Sequence, residues 1–334
     1  MKKILFAIWI VLVSGQLMAQ SSLKVLNSYP IKSLGGWDYI AVHEPTQRIY
    51  VSHTSQVNIL NAVTGDSIGV IAGTTGVHGI TFADEFNKGF TSNGKLNNAF
   101  VFDLKTNTKT AEIKTGENPD AIFYDAFSKK VYTCNGKSKD VTVINPADNS
   151  VVATIPVGGK PETAVSDNAG NIYVNIEDKS EIVVIDTKTF TVTKHWSIAP
   201  GEEPTGLAID TKVKKLFAGC GNKKLVIVNY TNGRVENTLT IGDGCDGVAY
   251  DSKLKQVYAS NGQDGTMTVI TGNAAGEYKV TGTVPTKKSA RTLTVDETTH
   301  KVYLPAAETE PNSEPGKRAK LIPGTFQILV VGDK

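Results

Sequence analysis

The chain is poor in cysteine, with three in 334 residues, and none stands in a Cys-x-x-Cys-His run. Covalently attached haem is thereby excluded. No Gly-x-Ser-x-Gly elbow occurs, which removes the strand-to-helix nucleophile of an α/β-hydrolase. No His-x-x-x-His spacing offers a compact metal clamp. Long apolar runs are missing too: Ile4 to Val13, ten residues, is the longest, about half of what a membrane-crossing helix needs.

That run lies between Lys2–Lys3 and the small-residue stretch "GQLMAQ" (Gly15 to Gln20). A positive start, a short apolar middle and a small-residue end are the parts of a secretory signal, read here as residues 1–19 with cleavage after Ala19. Periplasmic or secreted localisation is expected. Without Lys2 and Lys3, 33 basic residues (35 less 2) face 33 acidic ones. A chain that grips polyphosphate by counterion release is usually more basic, so nucleic acid is disfavoured as a partner.

What is present is repetition. Aromatics follow small charged turns at Tyr50, Phe90, Tyr132, Tyr173, Phe217, Tyr258 and Tyr303, in steps of 40, 42, 41, 44, 41 and 45 residues. Each is flanked by an alternating stretch before it ("DYIAV", "HGITF", "DAIFY", "ETAV", "TGLAI", "DGVAY", "RTLTV") and another after it ("VNILN", "AFVFD", "VTVIN", "IVVID", "LVIVN", "MTVIT", "FQILVV"). A further short strand closes each unit, as in "SVVATIPVG". Four strands with period-2 alternation in units of this length spell a β-propeller blade. The reading is an all-β, seven-bladed propeller occupying residues 23–332 as one domain. The last unit lacks its fourth strand, and "LKVLNSYPI" (Leu23 to Ile31) is a spare one. Joining the two removes a pair of open sheet edges, so the termini are expected to clasp.

The units "KKVYTCNGKSKDVTVIN", "GNIYVNIEDKSEIVVID" and "KQVYASNGQDGTMTVI", with the blade openings "NPDAIFYD" and "EPTGLAID", resemble the YVTN-repeat, YncE-like seven-bladed propellers of exported bacterial proteins. The likeness spans Leu23 to Gly332. It implies fold rather than activity, because this fold hosts binding proteins, lyases, lactonases and electron-transfer subunits.

Propeller geometry sorts the polar residues. Asp125, Asp167, Asp210, Asp251 and Asp296, with His43 and His300 nearby, fall at first-to-second-strand turns, where Asp caps local amides. Asn61, Asp103, Asn145, Asp186 and Asn229 end third strands and take the same structural reading, and His195 with Trp196 belongs to an outer strand. The other face collects Trp37, Asp38, His78, Asp120, Glu162, Glu203, Thr205, Asp246 and Arg291 from blade openings, and His53, Asn93, Asn135, Asn175, Cys220 and Asn261 from neighbouring loops. Polar first-strand starts are also what a wet channel requires. Taken together, carboxylates, two histidines and an arginine around a narrow mouth form a site for a cationic or polar ligand, in which crowded carboxylates raise one another's pKa.

His53 and His78, with Asp38 and Asp120 close by, are the candidates for acid–base chemistry or a divalent metal. Placement alone supports the latter, so neither metal nor cofactor is assigned. Cys220 and Cys245 open onto the same face in neighbouring blades, and a bridge between them is geometrically open, with Cys134 then free and buried. The stretch Ala306 to Gly324, charged and Pro-rich, replaces a loop that is a handful of residues elsewhere, and is expected to act as a lid. The leading expectation is a monomeric binding or scaffold protein for a small polar ligand or protein partner. The alternatives are a lyase or lactonase-like hydrolase using the mouth histidines and carboxylates, and single-stranded DNA binding of the YncE-like kind.

Overall fold

Short strands with one aromatic per unit cannot bury both faces alone, so they must stack. The computed structural model, which describes residues 22–311 and 320–333, shows the outcome. Seven four-stranded antiparallel sheets stand in a ring, six of them ordered from inside to outside as in the chain and the seventh completed on its outside by the N-terminal strand. The innermost strands are Trp37–His43, Val77–Ala83, Pro119–Asp125, Pro161–Ser166, Pro204–Asp210, Cys245–Asp251 and Thr294–Asp296. The repeat aromatics Tyr50, Phe90, Tyr132, Tyr173, Phe217, Tyr258 and Tyr303 are all at most 2% exposed. They fill the spaces between blades, at roughly 2–3 kcal/mol of burial each.

The ring closes as the spare strand predicts. Lys24–Pro30 pairs antiparallel with Gln327–Gly332, from Lys24 opposite Gly332 to Pro30 opposite Gln327, with one bulge between Val25 and Asn27. Tyr29 secures the closure by donating its hydroxyl to the carbonyls of Ala62 (3.1 Å) and Val63 (3.0 Å) in the first blade.

The seventh blade departs from expectation at its inner edge. Pairing begins only at Thr294, so Arg291 and Thr292 precede the strand. Continuing the register would set Thr292 against Pro305, which has no N–H to give. The segment is held instead by neighbouring blades: Ser260 Oγ donates to the Arg291 carbonyl, and Thr292 Oγ1 donates to that of Asp38 at 2.5 Å.

The turn residues behave as caps. Asp125 accepts from the Ser128 amide at 2.9 Å, Asp210 from Lys212 at 2.9 Å and Asp251 from Leu254 at 2.9 Å. His43 and His300 are tied to Asp84 and Asp251 of adjacent blades, at 2.7 and 2.6 Å. All three cysteines are buried free thiols; Cys220 and Cys245 fill apolar positions without forming the bridge that their placement left open. The secretory signal lies outside the described residues. So do residues 312–319 of the charged loop, of which Glu308–Thr309 and Lys320–Ile322 form a paired base.

Candidate functional site

Six blades begin their inner strand with a buried residue that faces the sheet, followed by one that looks into the channel, and the seventh supplies the equivalent pair just ahead of its strand. The buried column reads Trp37, Val77, Pro119, Pro161, Pro204, Cys245 and Ala290. The channel column reads Asp38, His78, Asp120, Glu162, Thr205, Asp246 and Arg291. Side chains from the preceding blade fix the backbone of this second column. Ser92 donates to the Asp120 carbonyl, Asn175 to that of Thr205 at 3.1 Å and Ser260 to that of Arg291, besides Thr292 on Asp38.

The column is electrically connected. His78 Nδ1 lies 2.5 Å from Asp38 Oδ2 and 3.6 Å from Asp120 Oδ1. Arg291 donates from Nη2 to Asp38 Oδ1 at 3.1 Å and to the Trp37 carbonyl at 2.8 Å, and from Nε to Asp246 Oδ2 at 2.8 Å. Lys160 Nζ stands 2.7 Å from Glu162 Oε1 and also pairs with Glu177. Four carboxylates (Asp38, Asp120, Glu162, Asp246) thus stand beside two permanent cations, of which Arg291 is shared by Asp38 and Asp246 and Lys160 by Glu162 and Glu177.

Burial in the channel wall, reinforced by Asp38, pushes the Asp120 carboxyl up to about 7, with His78 pulling the other way. Burial and then Asp120 push Glu162 up to about 9 against the opposing pull of Lys160. Desolvation lowers the His78 pKa, but the hydrogen bond it donates to Asp38 and the charges of Asp120 and Asp38 outweigh it, so the imidazole is raised.

Tyr39 completes the site. In the third column six blades carry small residues, namely Gly79, Ala121, Thr163, Gly206, Gly247 and Thr292. Neighbouring inner strands pass closely there: a Cβ on Gly206 would lie 2.6 Å from the Val248 amide nitrogen. Tyr39 breaks that column and reaches across the channel, packing against a cluster whose inner-strand members are Ala121 and Ala164 of the third and fourth blades. It is half-buried, and burial first, then the charges of Asp120, Glu162, Asp38 and Asp246, push its hydroxyl well above the phenol range.

Other expected mouth residues lie elsewhere. His53 pairs with Trp37 across the strands, is 1% exposed, and has both nitrogens engaged, with Ser33 Oγ at 2.6 Å and the Gly35 carbonyl at 3.0 Å. Phe326 stacks on it at 4.3 Å and on Trp37 at 4.9 Å. Burial holds the His53 pKa low, so its role is packing at the closure seam. Asn93, Asn135 and Asn261 are fully buried and peg their own hairpins, as Asn135 does through Asp140 (2.6 Å) and Thr142 (2.8 Å). Asn175 sits one position earlier in its strand than those three, which is why it bonds to the next blade. Glu203 is exposed on the approach to its strand, and Thr205 takes the ring position.

The channel widens below the ring. A cavity of about 530 Å³ opens toward the opposite face, walled by residues such as Leu207, Ile209, Val248, Leu293 and Val295, and includes none of the ring side chains.

No family model matches the sequence, and no curated protein matches it. Solved structures share the architecture. A chain of Kuenenia stuttgartiensis hydrazine synthase superposes with a TM-score of 0.72 at 15% identity, over 91% of this chain and 98% of that one. U3-55K gives 0.77 at 9% identity, over 91% and 97%. The WD40 repeats of RRP9 give 0.78 at 9%, over 92% and 97%. At such identities the likeness is one of fold. The chain is a seven-bladed β-propeller.

Proposed function

We propose that this propeller is a binding protein that takes a small cationic or polar ligand at the ring formed by Asp38, His78, Asp120, Glu162, Asp246 and Arg291. The carrying observation is the convergence of four carboxylates, Asp38, Asp120, Glu162 and Asp246, on one narrow, partly desolvated mouth, where Coulomb attraction is much stronger than in bulk water. Assignment to the YVTN-repeat, YncE-like family rests on the quoted repeat units, and export on residues 1–19. The protein acts as a monomer in this reading, and the WD40 likeness of its architecture leaves room for a protein partner at the same rim. Titration calorimetry with small alkylammonium and guanidinium ions, against carboxylates of the same size, tests the ligand class. The cations should bind, and Asp246→Asn should weaken them. Equal binding of both signs would overturn the reading. Intact mass of the exported product, expected to begin at Gln20, tests the signal.

A second reading, catalysis of the lyase or lactonase kind, is favoured by the His78–Asp38 pair. Arg291 fixes the far oxygen of Asp38, and Gly94 gives His78 Nε2 its room, since a Cβ there would lie 2.6 Å away. That is the arrangement of a positioned general base. An activity screen unmoved by His78→Ala would remove it. Single-stranded nucleic-acid binding ranks below both, since it wants exposed stacking aromatics and Trp37 is 6% exposed beneath Phe326.

A further inference from the structure

We propose that Asp38, His78 and Asp120 hold one divalent first-row transition-metal ion, such as Zn²⁺ or Mn²⁺, at the channel mouth. The inference deepens the cation-binding reading and rests on it.

One nitrogen and two carboxylate oxygens, from three consecutive blades, lie within 4.8 Å of one another. That separation matches donors arranged around a single ion with bonds of about 2.0–2.2 Å. The donor set is selective. An imidazole with two carboxylates suits Zn²⁺, Mn²⁺ or Fe²⁺, whereas Mg²⁺ and Ca²⁺ prefer oxygen alone and Cu⁺ prefers sulfur. His53, the other histidine of this face, is engaged through both nitrogens and takes no part.

Two further observations point to an occupant. The first is the Tyr39 hydroxyl, which stands within electrostatic reach of the same carboxylates; water bound to an ion at this site would give it a hydrogen-bond partner there. The second is the division of the cations. Arg291 is shared by Asp38 and Asp246 and Lys160 by Glu162 and Glu177, so among the described residues no Lys or Arg lies within ion-pair distance of Asp120, and a dication there would supply the counter-charge. Three protein donors also leave coordination positions open, as in sites where a metal presents a bound water or ligand rather than serving as a structural staple.

Binding is written as an exchange. His78 Nδ1 shares a proton with Asp38; the metal takes the nitrogen lone pair and the Asp38 and Asp120 oxygens, and the proton leaves to buffer. The Arg291 contacts to Asp38 Oδ1 and Asp246 stay in place and hold the carboxylates in position.

The test uses the full-length exported chain, stripped with EDTA and dialysed. Calorimetry with ZnCl₂ and MnCl₂, and with MgCl₂ as the control, should give one site per chain for the transition metals and none for Mg²⁺. His78→Ala and Asp120→Asn should each weaken binding by at least tenfold, while His53→Ala, provided it remains folded by circular dichroism, leaves it unchanged. Zn²⁺ should also raise the melting temperature of the parent chain but not of His78→Gln. Failure of both metals to bind, or binding that His78→Ala and Asp120→Asn leave intact, overturns the proposal. Alkylammonium binding that survives such a failure would spare the broader reading, and its loss together with metal binding would sink both.

Discussion

Arg291 Nη2 stands 3.1 Å from Asp38 Oδ1, although 253 positions of chain separate the two residues. The contact joins the seventh blade to the first at the level of the ring, and a second bond to Asp246 brings in the sixth. Both carboxylates are largely desolvated, so their charges are tolerable only while the guanidinium is there. Arg291→Met should therefore cost about 3 kcal/mol at pH 7, measured by urea unfolding, and the loss should shrink below about pH 4, where unpaired carboxylates take up protons.

The closing strand offers a second test. Tyr29 is 4% exposed and is the side chain that ties Lys24–Pro30 to the first blade. Tyr29→Ala should destabilise by about 3–5 kcal/mol, whereas Tyr29→Phe should cost about 1 kcal/mol, the worth of its hydroxyl bonds. Equal effects would mean that the ring of Tyr29 contributes little.

The two histidines of the mouth face should separate cleanly. His53→Ala removes a side chain stacked on Phe326 and bonded to Ser33 and Gly35, and is expected to lower stability by about 2 kcal/mol with ligand affinity intact. His78→Ala should do the reverse. Paired thermal melts and calorimetry on both variants check this.

Glu162 predicts a pH dependence. Its carboxyl is raised from the ordinary value to about 9, so between about pH 4 and 9 the folded chain binds more protons than the unfolded one. Stability then falls as pH rises through that window. In EDTA-treated protein, Glu162→Gln should flatten the decline and leave stability at pH 4–5 nearly unchanged, because the amide retains a hydrogen bond to Lys160. A parent profile flat from pH 5 to 9 would refute the shift.

Thiol chemistry gives an independent check. Burial pushes Cys220 up to about 12 and raises Cys134 and Cys245 as well, so native protein should resist an aromatic disulfide reagent. Unfolding without reductant should release three reactive thiols per chain. A count of one would reveal a bridge.

How much was legible follows from what repetition encodes. The fold was readable because seven aromatics recur at nearly constant spacing, and the ring because Asp38, His78, Asp120, Glu162, Asp246 and Arg291 occupy one column of the same alignment. His53 was misplaced because face assignment does not tell whether residues 33–36 and Phe326 cover it. The asparagines were misread because burial at a strand end cannot be inferred from polarity. Lys160 was missed since it precedes its blade's inner strand. Tyr39 carried a signal that was available, its bulk in a column of glycine, alanine and threonine. That column is constrained by backbone approach, a quantity visible only in three dimensions.

The pairing of Lys24–Pro30 with Gln327–Gly332 has a consequence for biosynthesis. The first strand of the ring must wait for the last before it finds its partner, so six blades can assemble while the circle stays unlatched. Closure then carries a large loop-entropy barrier, and any chain in which Gln327–Gly332 is not yet in place leaves a ragged rim that quality-control factors can recognise.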